Sequence, residues 1–176
     1  ISTLAIGCSD DNDNGNSYSN EKTAIEALDI ACESIETADA DTSIGTATLE
    51  IVDTYVSGNV FDTSAAEIIS YDSCSDKLYV VNSQQETVDI LSFENDSLVK
   101  SATIDLAAAA TQAGIEIGAA NSVSAKQGVV AVAIEAATKQ DNGIIALYRS
   151  DDLTLINTYS AGSLPVMVEL ADDGIL

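Results

Sequence analysis

The sequence predicts a mainly β chain, and three observations predict it. From Thr46 onward, short runs rich in Val, Ile, Leu and Tyr alternate with clusters of turn residues, the mark of sequential antiparallel strands. These runs fall into sets that recur at about 45 to 55 residues, the range of a propeller blade. Apolar residues make up 46% of the 176-residue chain, enough for one sizeable core and too many for a disordered segment. The expected architecture is a partial β-propeller, a little over two blades of four-stranded antiparallel sheet, preceded by a short amphipathic helix. A β-sandwich with irregular strand spacing is the alternative.

Four parts follow in order: residues 1–8, 9–20, 21–38 and 45–176. The first seven residues are apolar and small and lead to Cys8, after which the chain turns abruptly to Ser9, Asp10, Asp11, Asn12, Asp13 and Asn14. This resembles the lipobox of a bacterial lipoprotein signal peptide, in which the cysteine thiol is acylated and a polar tether holds the domain off the membrane. Leu4 stands four residues before the cysteine, and Ala5 occupies the place where Leu is commonest. Neither an initiator Met nor a basic segment precedes it, so residues 1–8 read as the remnant of a longer signal. An N-terminal strand ending in a buried Cys8 is the competing reading.

Asp10, Asn12, Asn14, Gly15 and Glu21 also fit the calcium-loop spacing D-x-[DN]-x-[DN]-G-x5-E. Ser17 stands where such loops carry an apolar residue, and Asp/Asn/Gly-rich tethers produce the pattern by composition alone. In 21–38, Ile25, Leu28, Cys32 and Ile35 recur at helical spacing, with Thr23 and Glu26 placed for a capping box. Cys32 and Cys74 are candidates for a disulfide once Cys8 is lipidated, two free thiols being the alternative.

Candidate strands cover 49–56, 67–71, 78–82, 87–93 and 99–105, then 122–125, 129–135, 144–149 and 153–159, with a third set opening at 166–170. Turn chemistry falls at 72–76, 94–96, 141–143 and 172–174. An Ala-rich insertion over 106–118 is expected as a loop or short helix between the first two sets. The chain stops at Leu176 as the turn over 172–174 enters the next strand of the third set, which reads as a chain cut short there.

Against 29 acidic residues stand 6 basic ones, a formal net charge of −23. A phosphate backbone is repelled by such a surface, so nucleic acid is excluded as a partner. The chain has no histidine, which excludes Ser-His-Asp and Cys-His catalysis, His-ligated zinc and HExxH chemistry within it. Carboxylates, Tyr, Lys and a hard cation such as Ca²⁺ remain.

Three stretches narrow the family: Ala66-Glu67-Ile68-Ile69-Ser70-Tyr71-Asp72, Lys77-Leu78-Tyr79-Val80-Val81-Asn82-Ser83 and Thr87-Val88-Asp89-Ile90-Leu91. They resemble the opening of the choice-of-anchor I domain, a YVTN-like propeller. The likeness continues through Asn121-Ser122-Val123, the run from Val130 to Ala137, Gly143 and Gly162-Ser163-Leu164-Pro165. Members of that family are similar to surface proteins with varied C-terminal anchors or fused enzymes, and to mesenchyme-specific cell surface glycoproteins. The resemblance implies an extracellular propeller without an established catalytic set; together with the lipobox-like Cys8 it leads to an expected place in the bacterial cell envelope, as an outer-membrane or cell-surface lipoprotein. Where the family usually carries Asp after the Leu-Pro pair, this chain has Val166.

The expected function is that of a surface-anchored binding or structural module, calcium-associated, engaging a surface protein or a glycan. A calcium-dependent phosphoesterase with clustered carboxylates is the alternative. Glu67 and Glu135 are the candidate ligand or metal residues, because each is acidic within an apolar strand, where burial requires a cation or a donor; outward-facing strand residues are the competing reading. Asn82 and Asn121 are expected to satisfy turn backbone, and Tyr79 and Tyr148 to be core or rim aromatics.

Overall fold

The computed structural model describes residues 28–30, 32, 50–58 and 68–171. Strands β1 (Ile69–Asp72), β2 (Lys77–Asn82), β3 (Thr87–Glu94) and β4 (Ser97–Asp105) form one antiparallel sheet in sequential order. Strands β5 (Ile117–Lys126), β6 (Val129–Ala136), β7 (Asn142–Arg149) and β8 (Leu155–Ser163) repeat the pattern in a second sheet. Two four-strand meanders stacked face to face are consistent with a partial propeller.

Local chemistry explains the hairpins. The β3–β4 loop is Asn95-Asp96 and the β5–β6 loop is Gln127-Gly128, and all four residues take positive φ. Two consecutive left-handed residues match the twist of the flanking strands. The turn expected over 141–143 lies earlier, at 137–141, and Gly143 falls inside β7. A Cβ there would run into the Ile134 carbonyl and the Pro165 ring, so this glycine serves close packing rather than a turn.

Between the sheets lies the main core: Tyr79, Val81, Val88, Ile90 and Ile104 from the first, and Val123, Val130, Val132, Ile134, Ala146 and Tyr148 from the second. All eight residues of β6 are buried, because its other face packs as well, through Val129, Ala131 and Ala133, against Val168, Leu170, Leu28 and Ile30. A strand buried on both faces reads as the continuous apolar run observed.

Three sequence expectations are corrected. Residues 50–58 form no strand, and Ile51, Val52 and Val56 are exposed; the segment is held by side chains instead, with Asp53 Oδ2 accepting the Leu98 N–H at 2.7 Å. Residues 166–170 follow β5 without strand pairing. The N–H groups of Val168 and Leu170 donate to the Ser122 and Ser124 hydroxyls at 3.2 and 3.0 Å, so the segment is held across the outer face of the second sheet by serine side chains. Another seryl hydroxyl links the two sheets, where Ser70 Oγ accepts the Ala125 N–H at 2.9 Å. Finally, the helix expected over 21–38 lies mostly outside the described residues, and those described within it are not α-helical. Asp29 has φ +51°, which an α-helix does not accommodate. The α-helix among the described residues is α1 (Ala107–Ala113), in the Ala-rich insertion, ended by Gly114 at φ +72°.

Candidate functional site

Strand directions assign the loops to two ends. Residues 83–86, 106–116, 137–141 and 164–165 cap one end, and residues 73–76, 95–96, 127–128 and 150–154 the other. A polar cleft of about 470 Å³ opens at the first end, lined by Ser83, Gln84, Glu86, Gly118, Asn121, Glu135 and Lys139. The sequence-predicted Glu135 is therefore part of it.

Three features build this cleft. Register shifts in β5 between Ile117 and Ala119 and between Ala120 and Ser122 re-aim the strand around Asn121. Asn121 Nδ2 then donates to Glu135 Oε2 at 3.1 Å and to the Pro165 carbonyl at 3.0 Å. The Ser83 hydroxyl donates to the Ala120 carbonyl, tying the β2–β3 connection to β5. Gly118 lies so close to β6 that a Cβ would sit 2.6 Å from the Ala136 carbonyl, so the floor is bare backbone. Glu135 is 8% exposed, a carboxylate held in place by an amide donor at the cleft wall. Asn121 satisfies a backbone carbonyl as expected, and also orients the acid.

Glu67, the calcium-loop residues Asp10, Asn12, Asn14 and Glu21, and Cys8 are outside the described residues. Cys32 and Cys74 are joined by a disulfide, with Cα atoms 4.6 Å apart, at the end opposite the cleft. Among the described residues no group of three Asp, Glu, Cys or His side chains could hold a metal. Val166 is exposed and follows the Pro165 that Asn121 binds.

Sequence reasoning missed a second buried acid. Asp89 is 1% exposed; its Oδ1 pairs with Lys100 Nζ at 2.6 Å. Its Oδ2 accepts from Tyr55 Oη at 2.9 Å and Asn82 Nδ2 at 3.3 Å. Burial and the Asp89 bond push the Tyr55 hydroxyl up to about 12. The flanking Val88 and Ile90 enter the inter-sheet core, so Asp89 faces the opposite side of its sheet. Its signal, an acid within Val88-Asp89-Ile90-Leu91, is the one that singled out Glu135. Tyr79 and Tyr148 are buried in the core, and burial raises both hydroxyls, that of Tyr148 to about 12.

Two stacked four-strand units, joined by seryl hydroxyls and carrying a polar cleft at one end, define a mainly β repeat domain. Residues 67–175 match the model of the Choice-of-anchor I domain, and the chain belongs to that family. Membership marks it as a cell-surface-associated, exported module. No curated protein and no solved structure matches the chain.

Proposed function

We propose that this chain is a surface-displayed binding module, lipid-attached through Cys8, whose cleft takes a hydroxyl-rich ligand such as a glycan. The observation that carries the reading is Glu135, nearly buried and oriented by Asn121 at the wall of a cleft lined almost wholly by polar groups. A fixed carboxylate accepts paired hydroxyl donors strongly, while Gln84 and Lys139 supply donors across the opening. The disulfide suits an exported compartment, where such bonds persist.

The phosphoesterase alternative requires converging carboxylates, and no observation favours it. Calcium belongs to the proposal only as a requirement for ligand binding, which chelation tests. The experiment is binding of the full chain to an oligosaccharide array, with and without EDTA, beside Glu135→Ala and Asn121→Ala variants of unchanged thermal stability. Both variants are expected to lose binding at least tenfold. Equal binding by wild type and both variants, or chelator-sensitive phosphatase turnover in place of binding, would overturn the reading.

A further inference from the structure

The described residues ahead of the sheets form a fixed part of the domain. Leu28 and Ile30 pack on the far face of the second sheet with Val129, Ala131 and Ala133. Arg149 Nη1 donates to the Leu28 carbonyl at 2.9 Å. The Ile30 side chain fills the space over Gly128, where any added Cβ would strike it. Cys32 is bonded to Cys74 in the β1–β2 turn.

All three anchoring points, Cys74, Gly128 and Arg149, belong to the end of the sheets opposite the cleft. The intervening strands β2 and β6 have six and eight residues, so the ends are about 20 to 26 Å apart at ~3.3 Å per residue. The direction of β1 makes this placement consequential. β1 runs from the cleft end toward the Cys74 turn, so a chain entering the domain directly at Ile69 would arrive beside the cleft. Instead the chain is first pinned at the far end. It is next seen at Asp53, bonded to Leu98 at the start of β4, and then at Tyr55, bonded to Asp89 within β3.

We infer that Leu28 to Ile30, with Cys32, are a disulfide-latched strap that sets the orientation of display, so that a protein held by the chain ahead of Leu28 presents the Glu135 cleft away from its attachment. The inference rests on the readings of Cys8 as the acylated residue and of the cleft as the ligand site. Nineteen residues lie between Cys8 and Leu28, and they join the described domain at the end opposite the cleft. The fixed point of the strap therefore sets which end of the domain faces the attachment.

The test uses the full acylated chain on lipid vesicles containing spin-labelled lipid, with a fluorophore at exposed Ser97 or at exposed Gln140. Ser97 lies at the strap end and Gln140 at the cleft end. Ser97 is expected to be quenched at least threefold more than Gln140, and this difference should shrink at least twofold in the Cys32→Ser, Cys74→Ser double variant, in which the first firmly fixed point moves along the chain toward Asp53 on Leu98. Equal quenching with the disulfide intact, or an undiminished difference in the double variant, overturns the inference. Cys8→Ser separates the premise: retention of that variant on vesicles sinks the anchor reading. Thermal stability of an Ile30→Ala variant with the disulfide intact then tests the strap alone, an unchanged Tm refuting its packing on the second sheet.

Discussion

Asp72 offers the sharpest test of how the two units are joined. It is fully buried at the end of β1, and its carboxylate accepts four bonds. Oδ1 takes the N–H of Cys74 at 3.2 Å and of Gly128 at 3.3 Å. Oδ2 takes the Ser75 N–H at 3.1 Å and its hydroxyl at 2.9 Å. Three of these close the β1–β2 turn, and the Gly128 bond crosses to the hairpin of the second sheet. Asp72→Asn keeps the shape but turns one oxygen into an NH₂ donor facing other donors. One or two buried N–H groups lose their acceptor, at about 1–3 kcal/mol each. With partial relaxation, a loss of about 2–4 kcal/mol is expected. For a chain of this size that lowers Tm by roughly 5 to 15 °C, read by differential scanning calorimetry under non-reducing conditions. Amide exchange at Gly128 should accelerate in parallel. A Tm within 2 °C of wild type, with Gly128 still protected, would refute this account of the joint.

The seryl joints and the 50–58 segment yield two further expectations. Ser122→Ala and Ser124→Ala orphan the buried N–H groups of Val168 and Leu170, each at about 1–3 kcal/mol. Exchange at those two amides should rise at least tenfold, while Ser101→Ala, whose hydroxyl only donates to the Ile90 carbonyl, leaves them unchanged; unaltered protection in the first two variants would contradict the joint. Hydrogen bonds from the Leu98 and Thr54 N–H groups hold the Asp53 carboxyl below its usual range. A depressed carboxylate adds stability that is present above its unfolded pKa and lost as pH falls through the folded one. Protection of the Leu98 amide should therefore fall below about pH 4, and Asp53→Asn should remove that pH dependence.

Most strands were legible because their alternation is local. The run Val129-Val130-Ala131-Val132-Ala133-Ile134 could only be a strand with both faces covered, and β3 carries its apolar alternation plainly. Residues 50–58 carry a similar pattern, yet among the described residues no strand edge pairs with them, and alternation cannot report whether a partner exists. The helical spacing of Ile25, Leu28 and Cys32 misled at the described positions. Leu28 and Ile30 are claimed by the face of β6, and Asp29 turns left-handed to place them there. Asp89 was overlooked although it sits in an apolar strand as Glu135 does, because its cation, Lys100, lies one strand away across a register shift.

By itself the sequence determined the class of the protein. Its periodicity sets the strands, their recurrence sets the four-strand unit, its lack of histidine removes whole chemistries, and its family stretches mark an exported surface module. Those properties are written in spacing and composition, which a single chain displays directly. Tertiary structure alone decided that Asn121 would hold Glu135, that serine hydroxyls would hold residues 166–170 on the face of the second sheet, and that a strap would be pinned opposite the cleft. These contacts join residues 14, 46 and 42 positions apart in the chain. Such pairings follow from how the sheets stack, and local pattern carries no record of that.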